Sequence, residues 1–266
     1  MGFRHLLVHV DADRRAAERV DLAVALARKL DARLTGLFSE ASTLGTSIVG
    51  RRSKEHLREA MEVARSTFDA RTRGPGLDSE WWQLEPAEYA EVVGLTATCC
   101  RYADLAIFGQ HDRDDKRRVP EDLVEHVLVH SGRPVLVVPA AGHYADVGRR
   151  VLVVWNASRE ATRALHDALP LMRDAEAVTV LALQQSTGTV SAAPMPHLDI
   201  VAHLAKHGIA AQYERVVKDD FGLADILLNR AFELHADLMV MGHAEQRGAS
   251  SRDILRSMIT PVLMSC

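Results

Sequence analysis

ADLAIFG at residues 103–109 returns as ADLMVMG at residues 236–242. Each copy is an apolar run entered through an aspartate and left through a glycine, the pattern of a short buried strand. Working outward, PVLVV (134–138) returns as PVLMS (261–265). Near the start of each half, Arg4-His5-Leu6-Leu7-Val8-His9-Val10-Asp11 matches Arg149-Arg150-Val151-Leu152-Val153-Val154-Trp155-Asn156. The order is constant, but the offset falls from 145 residues at the first strand (4 to 149) to 133 (103 to 236) and 127 (134 to 261). The chain is therefore two copies of one unit, the second shortened in two connections.

Within each copy, short apolar runs alternate with helical periods. In the first, strands are expected at Leu6–Val10, Ala32–Phe38, Glu80–Leu84, Leu105–Phe108 and Val135–Val138. Helices are expected over 14–30, 54–71, 87–101 and 121–130, where apolar residues recur at helical spacing. The second copy repeats this with strands near 151–155, 177–183, 212–217, 238–241 and 262–264, and helices near 159–172, 197–207, 222–235 and 251–258. Alternation of this kind gives an α/β protein: two tandem five-stranded parallel sheets, each doubly wound with helices on both faces. The domains are placed at 1–142 and 149–266, joined by the short polar stretch Ala140–Gly148.

Composition narrows the function. Apolar residues make up 47% of 266, enough for a core, and 32 basic against 36 acidic residues leave a net charge of −4. A nucleic-acid binder would carry a basic footprint, so none is expected as partner. No run reaches the roughly 18 apolar residues of a membrane span. The start of the chain does not read as a signal peptide, and Cys99, Cys100 and Cys266 make no disulfide framework. A reducing cytoplasm is the expected location.

Open parallel sheets bind ligands beyond the carboxyl ends of their strands, where strand order reverses. In the second copy this points to Asn156 after the first strand, Met241 and Gly242 at the end of the fourth, and Gly248-Ala249-Ser250-Ser251 before the next helix. Small residues and free N–H groups at a helix N-terminus suit an anion, and Arg247 and Arg252 add positive charge. The same residues also read as a turn glycine followed by N-cap serines.

VLVVWNASREATRAL, then ADLMVMG, then a small-residue turn, then ILRSMITPVLMS resembles the universal stress protein (UspA-like) family, and the likeness covers nearly the whole chain twice. The resemblance implies a Rossmann-like, adenine nucleotide alpha hydrolase-like unit, paired with its neighbour through the last strands, and often ATP-binding. The family's phosphate motif is G-x2-G-x9-G-[ST], and an Asp after the first strand faces adenine. Gly242 matches the first glycine and Gly248 the last; Ala249 replaces the hydroxyl residue, and Ser251 falls where a hydroxyl is frequent. The middle glycine is missing. Five residues separate Gly242 from Gly248 where the motif has twelve, and Asn156 replaces the Asp. In the first copy Asp11 keeps the adenine-facing position, but only Gly109 of the motif remains and Glu121 stands at the last glycine. Asp112, Asp114, Asp115 and Glu121 would repel a phosphate, so the first copy is read as non-binding.

His126/His130 and His203/His207 are spaced four apart, as helical metal ligands can be. Neither has a third ligand at an obvious spacing, so no metal is expected. Cys99 and Cys100 read as buried small hydrophobes, one of them a candidate redox thiol, and at least one of Trp81 and Trp82 is expected in the core. No GxSxG, Walker A or GxGxxG occurs, so no catalytic residue is assigned. Three functions remain: a stress-response regulator binding ATP or AMP weakly, or an anion, in its second domain; a slow ATPase or nucleotide hydrolase at that cleft; or a ligand-free interaction scaffold. The two domains are expected to pair through Val135–Val138 and Val262–Met264, because an open edge strand invites uncontrolled association. A homodimer of the tandem and a regulatory protein are the further candidate partners, and a membrane is not one.

Overall fold

The computed structural model describes residues 2–41, 54–85, 87–111, 119, 122–185, 199–218, 222–243 and 248–266. The chain divides into two compact units, Met1–Asp146 and Val147–Cys266, with the division inside the expected linker.

Unit 1 contains β1 (His5–His9), α1 (Ala16–Leu30), β2 (Arg33–Phe38), α2 (Lys54–Thr72), β3 (Ser79–Gln83), α3 (Tyr89–Cys100), β4 (Leu105–Gly109), α4 (Leu123–Ser131) and β5 (Val135–Val138). Its strands run in the order β3-β2-β1-β4-β5, and every pair is parallel. The central strands are apolar along their length because both faces are covered; Leu6, Leu7, Val8, Leu105 and Ile107 are fully buried. Trp81 and Trp82 point to opposite faces of β3, as alternation requires. Trp81 packs against Phe68 of α2, and Trp82 meets His5 edge-on. Cys100 is buried at the end of α3, and burial pushes its thiol well up; the half-buried Cys99 thiol is raised by the same cause. Neither has the depressed pKa of a reactive thiolate.

Unit 2 contains β6 (Arg150–Trp155), α5 (Arg159–Met172), β7 (Ala177–Gln185), α6 (Ile200–Lys206), β8 (Gln212–Lys218), α7 (Leu223–Glu233), β9 (Leu238–Gly242), α8 (Gly248–Ser257) and β10 (Val262–Ser265). Its order is β8-β7-β6-β9-β10, again parallel throughout. The α/β alternation expected from the sequence is thus the observed fold. α8 begins three residues earlier than expected, at Gly248, so Gly248–Ser251 form its first turn rather than a loop before it. Among the described residues no helix is long and apolar enough to cross a membrane.

The aspartate of each ADL phrase has a specific task. The backbone N–H of Asp104 donates to the His5 carbonyl (2.8 Å), and its carboxylate accepts from the backbone N–H groups of Arg4 (2.8 Å) and His5 (3.0 Å). Asp237 repeats this: its N–H donates to the Arg150 carbonyl (2.9 Å), and its carboxylate takes the N–H groups of Gly148 (2.8 Å), Arg149 (3.1 Å) and Arg150 (3.2 Å). These aspartates lock the entry of the fourth strand to the entry of the first. The residues before Val147 are tied to α1 instead, by Lys29 on Asp146 (2.9 Å) and His143 on Glu18 (2.6 Å).

Asp237→Ala removes the shared acceptor and is expected to lower stability by roughly 1.5–3 kcal/mol, the range for hydrogen bonds to a charged group. Asp237→Asn, which keeps one acceptor oxygen, is expected to cost about half as much. Urea denaturation of the full chain measures both.

Candidate functional site

Strand order reverses between β6 and β9 in unit 2, since β6 is followed by β7 on one side and flanked by β9 on the other. Asn156 follows β6 directly and is exposed. Its Oδ1 accepts the Ser158 backbone N–H at 3.0 Å, an Asx turn that carries the chain into α5. Ala157 takes a left-handed conformation there (φ 56°), and Ser158 Oγ caps α5 by accepting the Ala161 N–H at 3.1 Å. The oxygen of Asn156 is thus engaged in shaping the loop; its Nδ2 donor takes no part in that turn.

Met241 and Gly242 end β9 beside this loop, Met241 buried. A Cβ on Gly242 would stand 2.5 Å from the Ala161 nitrogen and 2.5 Å from the Glu160 carbonyl carbon. Glycine is required here because the first turn of α5 lies against the strand end. Asn156, Met241 and Gly242 therefore share the switch point. Gly248, Ser250 and Ser251 sit in the first turn of α8, where N–H groups lack helical partners. Ser251 is buried. The side chain of Ser250 and residues 244–247, Arg247 included, lie outside the described residues.

The corresponding place in unit 1 is already filled. Asp11 follows β1, and Arg19 reaches it from α1: Arg19 Nη2 donates to Asp11 Oδ1 at 2.8 Å and Arg19 Nε to the His9 carbonyl at 2.8 Å. The Arg19 side chain is 3% exposed and that of Asp11 11%. A Cβ on Gly109, the counterpart of Gly242, would stand 1.9 Å from Arg19 Nη1. The guanidinium therefore occupies the space between the ends of β1 and β4. Asp112, Asp114, Asp115 and Glu121, on which the expected repulsion of phosphate rested, lie outside the described residues. Arg19 escaped the sequence reading, although its signal is visible as one arginine in the stripe Ala16, Val20, Ala23 and Ala27, all buried. By the offset of 145 its counterpart is Ala164, also buried.

Burial by itself would raise the Asp11 carboxyl; the Arg19 guanidinium, with His9 and the Asp13 N–H, outweighs it and holds the group below the usual carboxylate range. Burial also lowers the His9 imidazole, with Asp11 opposing and Arg19 reinforcing. The ring stacks on Phe108 at 5.3 Å and meets the Ser39 carbonyl through Nε2 at 3.1 Å, which assigns the proton to Nε2 in the neutral form.

No protein-family model and no curated protein sequence matches the chain. Solved structures do. A universal stress protein from Archaeoglobus fulgidus aligns with a TM-score of 0.72 at 18% identity, over 98% of this chain and 95% of its own. A functionally unknown protein from Pseudomonas aeruginosa PAO1 aligns with a TM-score of 0.58 at 16% identity, over 99% and 92%. The described residues have the fold of a universal stress protein in both units.

Removing one partner from the Asp11–Arg19 pair strands a buried charge. Arg19→Met is expected to destabilise by about 3–5 kcal/mol, and Asp11→Ala/Arg19→Met by less than the sum of the single changes, read by chemical denaturation. Acid should act in two windows. The folded pKa of His9 lies below its unfolded value of about 6.5. The unfolded chain therefore binds the extra proton, and stability falls as pH drops below that value. The depressed Asp11 pKa keeps its contribution above about pH 4 and loses it as pH falls through the lower folded value. His9→Gln should flatten the first window by about one proton's slope, measured as Tm against pH.

Proposed function

We propose that this chain is a tandem universal stress protein that acts by binding rather than by catalysis. Unit 2 receives an adenine nucleotide or a smaller anion at its switch point, and unit 1 is a companion that receives none. The observation that carries this is the contrast between Arg19, whose guanidinium fills the space beside Gly109, and Ala164, a methyl group at the equivalent position. The space beside Gly109 holds a buried cation; the space beside Gly242 is closed by the first turn of α5, and Ala164 brings no charge to it.

The chemistry of unit 2 favours a small ligand. Asn156 has a donor for a base or ribose edge, and the first turn of α8 has N–H groups for an anion. The connection from Gly242 to Gly248 is seven residues shorter than the family's motif and leaves fewer donors for phosphates. Two fewer charge-assisted bonds, at about 1.5–3 kcal/mol each, weaken binding by roughly 100-fold or more. AMP or inorganic phosphate should therefore be favoured over ATP.

Calorimetry of the full chain with ATP, AMP and phosphate tests the proposal. Gly248→Glu is expected to abolish binding by placing a carboxylate among the α8 donors. Asp11→Ala/Arg19→Met, which removes both charges of unit 1 as a pair, should leave the affinity of unit 2 unchanged. Tight ATP binding with AMP much weaker would overturn the size argument. Binding lost on changing Asp11 but not Gly248 would reverse the two units. No binding of any of the three would leave the scaffold reading, and release of phosphate from ATP the enzymatic one.

A further inference from the structure

Away from the switch point, unit 2 gathers three imidazoles that the sequence holds apart. His166 lies on α5, His203 on α6 and His207 at the C-cap of α6. The spacing of four places His203 and His207 on one helical face, with ring centroids 4.9 Å apart. The ring of His166 stands 5.1 Å from that of His203 and 5.8 Å from that of His207. One ring nitrogen from each lies within 4.8 Å of the other two, and no carboxylate or thiol among the described residues belongs to the group. We propose that His166, His203 and His207 form a binding site for a divalent transition-metal ion, with zinc as its natural occupant.

The geometry favours a metal over a chain of hydrogen bonds. His203 Nε2 and His166 Nε2 are 3.3 Å apart. Two nitrogens bound tetrahedrally to zinc at about 2.0–2.1 Å are separated by about 3.3–3.4 Å. The third nitrogen, on exposed His207, lies within 4.8 Å of the other two and closes to that separation by side-chain rotation. A neutral imidazole has one N–H, so three converging ring nitrogens cannot all be satisfied by one another, and protonating them sets like charges side by side. An ion that accepts three lone pairs resolves both problems. Imidazole suits zinc, copper and nickel, while magnesium and calcium require oxygen ligands.

Three protein ligands leave at least one position for water, the arrangement of an open site. His166 and His207 are exposed and His203 is partly so, which gives the ion free access from solvent. The site also bridges two elements. α6 has seven residues and one buried side chain, Leu204, so a metal bond to α5 would add a tether that its own packing does not supply. Bound zinc should therefore order α6 as well as occupy the histidines.

The test is titration of the untagged full-length chain with zinc chloride by calorimetry, paralleled by cobalt(II), whose visible bands intensify in a four-coordinate site. One equivalent of zinc is expected, with a rise in Tm. His166→Ala should weaken binding by more than about 100-fold, beyond the loss that outer-shell changes cause. His166→Gln and His207→Gln keep polar side chains at exposed positions and should lose the intense cobalt bands while retaining the far-ultraviolet dichroism of the parent. His126→Ala, which breaks the two-histidine pair on α4, should leave the isotherm unchanged. Zinc affinity equal in the parent and in His166→Ala, or lost in His126→Ala instead, overturns the proposal. So does an absence of any binding isotherm.

Discussion

In each unit a carboxylate at the entry of the fourth strand accepts the first N–H groups of the central strand, Asp104 for β1 and Asp237 for β6. The ladder groups at a strand's first residues otherwise have only water as partner. By taking them, the aspartate fixes which residues of the two strands stand side by side: Leu6 beside Leu105, Val151 beside Leu238. Registers in the middle of the sheet propagate to both edges. A slip of one residue would turn every apolar side chain to the opposite face. The same anchoring brings the ends of β1 and β4, and of β6 and β9, level with each other, so each unit has its switch point at a defined height.

What happens at that height differs between the copies through two helix residues. In unit 1 an arginine folds back under the strand ends and is held by a carboxylate and a carbonyl. In unit 2 the equivalent residue is alanine, α5 begins two positions earlier relative to its strand, and its first turn closes on Gly242. Duplication kept the scaffold and let the cleft chemistry diverge, as expected when stability rests on the sheet and function on the loops at its end.

The sheets were legible because buried parallel strands are apolar along their whole length, and ADL and PVL mark their entries in both copies. Helix limits were less so. α6 was expected over 197–207 and spans Ile200–Lys206, where Asp199 caps it by accepting the Val201 and Ala202 N–H groups. α8 was expected to begin at 251, yet Gly248-Ala249-Ser250 already form its first turn. Small polar residues serve equally in a turn and in a first helical turn, so composition does not separate the two. Asn156, Met241 and Gly242 stand at the ends of β6 and β9, as strand order requires. Arg19 was hidden because a long side chain can bury its stem in a stripe otherwise apolar. His166 was hidden because its partner lies 37 residues on, a distance that no local spacing rule covers.

The arginine in the unit 1 cleft also changes how the two halves answer to their surroundings. A cleft closed by its own side chain exchanges nothing with the solvent, so its contribution to folding is the same at every metabolite concentration. A cleft that takes its occupant from solution gains stability only as that occupant accumulates, by RT ln(1 + [L]/Kd). On the proposed function, the two in one chain make an internal standard and a variable reading, and the resistance of unit 2 to local opening would follow the supply of its ligand.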